Sequence, residues 1–283
     1  MKTFAVHLHL YYLEQLPKIL KRLKSLVGQN YDLFVTMVER NEEAEKSIKS
    51  FNANADITIV PNRGYDVGPF IEFLHKIDLD DYEYILKVHT KSLKSNTFTI
   101  LNGHGMTNGF WNDILWNALL VSKRQVQKCL AKFSDEKIGM VGSGICLTEE
   151  KHTYENMLPQ INEALIKLGL NAIEKTKFIA GTMFLCRAAL MKPLLAYSIN
   201  DFDQTDGRIK DYTLGHTMER VLAELVLQQG YEIIGISYPT PVRLFFHYWR
   251  VRIVRFLFSK KRTKHRLLIK IFKIPVWSRK EPT

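Results

Sequence analysis

The sequence is poor in the features that tie a chain to an oxidising compartment or to a bilayer. Its 283 residues hold three cysteines, Cys129, Cys146 and Cys186. An odd count leaves no complete disulfide framework, and their spacing fits neither a zinc motif nor a redox pair. Buried free thiols in a reducing compartment are expected. No apolar run approaches the ~18–20 residues that a membrane-spanning helix needs. The opening stretch from Met1 to Tyr11 is interrupted by His7 and His9 and lacks a small-residue cleavage site, so it does not read as a signal peptide. A cytoplasmic protein is expected. Internal repeats and low-complexity tracts are also missing. What remains is an ordinary globular composition, 46% hydrophobic and 24% charged, which excludes disorder over most of the chain.

Acidic residues are nearly absent from one part of the chain. Residues 241–283 contain 13 Lys and Arg but only Glu281 as an acid, whereas residues 1–240 hold 27 basic and 28 acidic residues. The net charge of +11 therefore belongs to the tail. Two units are expected: an α/β domain over 1–240 and a basic, aromatic, helical tail over 241–283. Between residues 243 and 280 the basic side chains are interleaved with Phe245, Phe246, Tyr248, Trp249, Phe256, Phe258, Phe272 and Trp277. Basic groups attract anionic lipid and aromatic rings settle at headgroup level. The basic residues do not collect on one helical face, so the tail is not a model amphipathic helix. An anionic membrane surface is still its expected partner, on the inner face of the plasma membrane. A nucleic-acid partner is not expected, because no basic stripe runs along the neutral body.

Hydrophobic periodicity orders the body. Strands are expected at Thr3–Leu10, Tyr31–Met37, Asp56–Val60 and Tyr82–Val88, and helices at Leu13–Leu26, Glu39–Phe51 and Pro69–Ile77. This alternation points to a parallel sheet with helices on its faces. Thr90–Gly109 reads as a polar loop and Phe110–Phe133 as one long helix. Ile138–Val141 and Phe178–Cys186 read as strands, Leu190–Tyr197 and Thr213–Gln229 as helices, and Tyr231–Ser237 as a last strand. Ligands of such sheets bind beyond the carboxyl ends of the strands.

Four segments carry candidate chemistry. Pro61-Asn-Arg-Gly-Tyr-Asp-Val-Gly-Pro-Phe70 follows a strand, and its two glycines and two prolines fix an unusual backbone bearing Asn62, Arg63 and Asp66. A plain turn with Asp66 capping the next helix fits equally well. Lys87-Val-His-Thr-Lys91 ends the strongest strand. The charge of Lys87 needs a partner there, either a bound diphosphate or a carboxylate such as Asp66. On the helix from Thr213, His216 shares a face with Glu219 and Arg220, an arrangement equally compatible with a surface polar cluster. Gly181 interrupts a strand, as where something approaches the backbone closely, although a buried core strand fits as well.

Taken in order, these stretches resemble the rhamnan synthesis protein F family. The resemblance rests on Asn62–Phe70 (NRGYDVGPF), Tyr84–Ser92 (YILKVHTKS), the Trp111 region, Ile138–Gly142 (IGMVG), FIAGTMF with Arg187, and Thr213–Arg220 (TLGHTMER), with support from HLHLYY at the start and from residues 34–36. It covers about residues 1–235. It implies a GT-A-like glycosyltransferase fold with one nucleotide-binding, mostly parallel sheet. The implied donor is a nucleotide sugar, for instance dTDP-rhamnose, and the implied acceptor a lipid-linked glycan in rhamnan, O-antigen or capsule assembly.

One departure shapes the expected chemistry. GT-A enzymes generally carry Asp-x-Asp after the central strand to hold a divalent metal. Here that place reads His89-Thr90-Lys91, while Asp78-Leu-Asp80 precedes the strand and Asp201-Phe-Asp203 lies in a late turn. No metal ligands and no resident cofactor are therefore assigned. Lys87, His89 and Lys91, with Arg63, are expected to stabilise the leaving diphosphate. Glu219 is the expected base and His216 the second choice. Asn62 and Asp66 are expected to hold the donor, and Gly181, Thr182 and Arg220 complete the expected substrate-binding set. The rival readings are a non-catalytic scaffold of a polysaccharide-synthesis complex and a nucleic-acid-binding protein.

Overall fold

The computed structural model describes residues 2–93, 98–101, 104–150, 157–205, 213–237, 246, 249–250, 253, 256–263, 266–272 and 274–280. In chain order the first elements are β1 (Lys2–His9), α1 (Leu16–Leu23), β2 (Tyr31–Met37), α2 (Glu42–Phe51), β3 (Asp56–Ile59), α3 (Val67–Lys76) and β4 (Tyr82–His89). A hairpin of β5 (Phe98–Leu101) and β6 (His104–Thr107) leads to α4 (Asn108–Leu120), α5 (Lys123–Leu130) and β7 (Ile138–Ser143). Then come β8 (Leu147–Glu150), α6 (Leu158–Lys167), β9 (Thr176–Ile179), β10 (Phe184–Arg187), α7 (Leu214–Gln228) and β11 (Glu232–Ile236).

Local chemistry sets these boundaries. The α1 residues Leu16, Ile19 and Leu23 are buried at helical spacing. Asn41 caps α2 by accepting from the Ala44 N–H at 2.8 Å, so the helix begins three residues later than its polar sequence suggests. Ser122 does the same for α5, accepting from Gln125 N. It divides the expected long helix into α4 and α5. Gly230 at φ 85° follows α7 and stops it.

Among the described residues the central sheet has seven strands in the order β11-β7-β10-β4-β1-β2-β3. Every pairing is parallel except those of β10, which runs against both β4 and β7. The expected mostly parallel, helix-flanked sheet is thus what the chain forms. After β3 the chain returns across β1 to β4. Crossovers of one hand then place α3 on the face opposite α1, and the crevice between β1 and β4 becomes the topological switch point.

The expected strand over 178–186 is divided in two. Its first half pairs as β9 with β8, its second half joins the central sheet as β10, and between them Gly181 (φ 96°) and Thr182 (φ 49°) are left-handed. The expected helix at 190–197 is a run of 3-10 turns over Ala188–Ala196 with Pro193 inside it, since proline cannot donate within an α-helix. Part of the expected loop at 90–109 is the β5–β6 hairpin. The tail is helical only up to residue 257 where described. Beyond it, β12 (Phe258–Thr263), β13 (Arg266–Ile271) and β14 (Ile274–Lys280) form an antiparallel sheet, which corrects the expectation of a helical tail. The β-branched and aromatic content of these segments suits strands. No described helix is long and apolar enough to cross a membrane.

Candidate active site

Parallel pairing in register brings a polar row to one face of the sheet. His7 stands beside Lys87, and His9 beside both His89 and Thr36. The Thr36 hydroxyl is shared by His7 Nε2 at 3.0 Å and His9 Nδ1 at 3.1 Å. Phe73 of α3 stacks on the His7 ring at 4.8 Å. Burial pushes the His7 ring well below the ordinary histidine range and takes His9 down to about 3, although Asp66 pulls both the other way. These two histidines are neutral core groups. Sequence reasoning missed their role, although the alternation in His-Leu-His was the available signal.

Lys87 is 1% exposed. Its ammonium is paired with Asp66 Oδ2 and also donates to the Thr182 carbonyl at 3.0 Å and to Thr182 Oγ1 at 3.2 Å. Burial lowers the lysine pKa, with Asp66 opposing. Burial likewise disfavours the Asp66 carboxylate, but His89 and Lys87 and the hydrogen bonds from Lys87 and Thr182 outweigh it. They hold the acid far below its usual range. His89 lies with Nδ1 2.8 Å from the Thr90 carbonyl and Nε2 2.8 Å from the Gly181 carbonyl. A neutral ring donates to one of them at a time, and burial lowers its pKa.

These contacts correct the expected cationic cradle. Lys87 and His89 are consumed by internal partners, because a buried ammonium requires a counter-charge and Asp66 supplies it. Arg63 is also committed, with its guanidinium donating to the Phe202 carbonyl at 2.8 Å. Asn62 donates to the Thr205 carbonyl at 2.6 Å, and its own carbonyl accepts from Thr205 N at 2.8 Å. Asn62 and Arg63 thus fasten the 61–70 turn to residues 202–205. Gly64 (φ 66°) permits this turn: a Cβ there would lie 2.4 Å from the Phe202 ring. Asp66 sits at the N-cap of α3 yet makes no capping bond, since its side chain is turned to Lys87 and Thr182. The alternative reading of Asp66 as a helix cap is also set aside.

Asp66, Glu219 and Lys91 are half-buried rather than enclosed. Every side-chain contact of Asp66 runs through Oδ2, which leaves Oδ1 unpartnered among the described residues on a partly exposed side chain. Glu219 accepts from the Gly181 N–H at 2.6 Å through Oε1 and pairs with Arg220 at 2.7 Å through Oε2. The Lys91 ammonium lies 4.0 Å from the centre of the Trp111 ring and has no carboxylate partner among the described residues.

Arg220 donates to the His216 carbonyl at 3.1 Å and stacks 4.3 Å over Phe178. His216 exchanges a hydrogen bond with Thr213 Oγ1 at 2.8 Å and meets the edge of Tyr65. Tyr65 (φ 55°), next to the left-handed Gly64, had no distinguishing signal in the sequence. Asp78 caps a 3-10 turn by accepting from Asp80 N, and Asp201 closes a capping box with Ser198, so both Asp-x-Asp sequences serve turns.

Asp66, which follows the left-handed pair Gly64–Tyr65, therefore bonds to Thr182 of the left-handed pair Gly181–Thr182, with Glu219 holding the second turn from α7. Left-handed backbone at a β-branched residue is strained and persists where surrounding contacts over-determine it. Thr182 has four such contacts, to Lys87 twice, to Asp66 and to His89.

The family model for rhamnan synthesis protein F matches residues 1–231. Two proteins described as uncharacterized protein WxcX, from two strains of Xanthomonas campestris pv. campestris, are each 23% identical over 236 residues. That region is 82% of this chain and 32% of theirs, so the chain spans about a third of the length of these curated relatives. Among solved structures, residues 1–349 of TarS from S. aureus superpose with a TM-score of 0.43 at 11% identity, over 90% of this chain and 65% of that one. Glucosyl-3-phosphoglycerate synthase from Mycobacterium tuberculosis, solved with Mn2+, UDP and glucosyl-3-phosphoglycerate, gives a TM-score of 0.37 at 10% identity, over 98% and 90% of the two chains.

Proposed function

This chain belongs to the rhamnan synthesis protein F family, and from that premise we propose that it is a glycosyltransferase that uses a nucleotide-sugar donor in building a cell-surface polysaccharide. The observation that carries the reading is that Asp66 and Glu219 both bond to the Gly181–Thr182 turn, with Lys91 on the Trp111 ring that lies beside Gly181, at the carboxyl end of β4 beside the switch point. An acceptor carboxylate oxygen, a positioned base and an unpaired cation are the groups that glycosyl transfer asks of a protein.

In this reading Lys91 takes the leaving diphosphate. Asp66 Oδ1 accepts from a hydroxyl of the donor, and its depressed pKa suits it to accepting a hydrogen bond rather than a proton. Glu219 receives the proton of the acceptor hydroxyl, with His216 as the second candidate. The acceptor oxygen bonds to the anomeric carbon as the bond from that carbon to the diphosphate oxygen breaks, and the nucleoside diphosphate leaves with the electron pair. Arg220 holds Glu219 in place, while Lys87, His89, Asn62 and Arg63 build the turns that carry these groups. The finer reading is a rhamnosyl donor and a lipid-linked glycan acceptor. It places residues 1–240 as the transferase domain on the cytoplasmic face and residues 241–283 as the part that meets anionic lipid.

The commitment of Lys87 and His89 to internal bonds favours a second reading, a scaffold that kept the sheet without the chemistry. One experiment separates the two. Thermal unfolding is followed against a panel of UDP-, GDP- and dTDP-sugars, with and without a chelator, and nucleoside diphosphate release is measured in parallel. A donor that raises Tm and is turned over supports the transferase. Binding without release supports the scaffold, and no shift with any donor sinks the reading.

A further inference from the structure

Of the three basic side chains at the exit of β4, Lys87 and His89 are locked by Asp66, Thr182, Thr90 and Gly181. Among the described residues Lys91 is held through its backbone, whose carbonyl accepts from Gln15 Nε2 at 2.9 Å, and through the contact of its ammonium with the Trp111 ring. We propose that Trp111 is an aromatic platform for the sugar ring of the donor, and that Lys91 caps it until a diphosphate draws the ammonium away.

Three observations lead there. An ammonium on an indole face is held by the ring quadrupole alone, and a phosphate oxygen offers it a stronger, charge-assisted hydrogen bond. Arrival of a diphosphate therefore moves Lys91 and bares the face it covered. Trp111 also lies against the reacting turn. A Cβ on Gly181 would stand 2.6 Å from Leu115 Cδ1 and 3.3 Å from Trp111 Nε1, so the bare glycine lets the indole reach this turn. The same glycine donates its N–H to Glu219. The platform is thus on the side of the proposed base, where a sugar about to be transferred has to lie. Aromatic faces suit the C–H faces of sugars, which bury apolar area there while keeping their hydroxyls for groups such as Asp66 Oδ1.

The inference rests on the transferase reading, and its test keeps the two apart. Inorganic pyrophosphate is titrated into the full chain while tryptophan emission and Tm are recorded. In the wild type, emission should change saturably as Tm rises. Trp111→Phe should keep the Tm shift and lose that emission component. Lys91→Met should start from the uncapped emission, not respond, and bind pyrophosphate at least tenfold more weakly. With an active donor, Trp111→Phe should raise the donor KM several-fold. A Tm shift in the wild type with identical emission changes in wild type and Trp111→Phe would overturn the platform alone. Failure of the wild type to bind pyrophosphate would overturn the platform and the diphosphate role of Lys91 together. If Trp111→Phe fails to fold, Lys91→Met decides by the same emission readout.

Discussion

The buried Lys87 and the half-buried Asp66 form an ion pair that ties the centre of the sheet to the N-cap of α3. Removing one partner strands the other in a low-dielectric site. Lys87→Met should lower stability by about 3–5 kcal/mol, measured by urea unfolding. A double-mutant cycle with Asp66→Asn should show strong coupling. Additive losses would mean that the pair is not what joins β4 to α3.

Glu219→Gln keeps the shape and the bond from Gly181 N but removes the proton acceptor. Transfer should fall by about 10²–10⁴, with the Tm shift given by the donor nearly unchanged. A fully active variant would move the role to His216.

His9 and His7 are buried in neutral form, chiefly through desolvation. Their folded pKa values lie below the unfolded value near 6.5, so the unfolded chain binds more protons in between. Stability should be intact above about pH 6.5 and fall toward pH 3, by up to about 1.4 kcal/mol per pH unit for each histidine. Asp66 adds to the loss below its unfolded pKa of 3.8, because its folded value is depressed. His9→Gln should flatten the limb between pH 6.5 and 4 in equilibrium unfolding. An unchanged slope would count against a neutral, buried His9.

Gly181→Ala adds a Cβ 2.6 Å from Leu115 Cδ1 to a residue at φ 96°. Left-handed strain and overpacking together should cost at least about 2 kcal/mol. Donor binding should weaken as well, since Thr182 of this turn holds Asp66 and the Gly181 N–H holds Glu219. Calorimetry on the purified variant checks both.

The tail displays Phe246, Trp249, Ile253, Phe256, Phe272, Ile274 and Val276 on its surface, within a segment of 13 basic residues and one acid. The full chain should sediment with phosphatidylglycerol-containing vesicles and be released by salt. A chain ending at residue 242 should stay in the supernatant. Equal sedimentation of the two would end the membrane assignment.

Much of this architecture is legible in the sequence. The β-α alternation through Val88 gives the parallel half of the sheet, and the buried free thiols Cys129, Cys146 and Cys186 follow from their spacing. The charge of Lys87 inside a strand announces a partner, and the sequence offers both a bound diphosphate and the Asp66 carboxylate. The choice between them depended on where the 61–70 turn travels in space. That path is set by Gly64 and by bonds to residues 202–205, some 140 positions away, and local pattern does not encode it. The reversal of β10 was hidden for a related reason. Residues 178–186 read as one apolar run, and only the left-handed pair at 181–182 lets its halves join different sheets.

Since β10 runs against its neighbours, it enters the central sheet at the rim where they leave it. The Gly181–Thr182 turn is therefore clamped on both sides, by β9 before it and by β10 after it, and has little freedom to vary in length. One residue inserted between Ile179 and Phe184 would pull the Gly181 N–H off Glu219 and Thr182 off Asp66 together. Diversity among relatives should accumulate in the neighbouring connections, while the span of this turn stays constant.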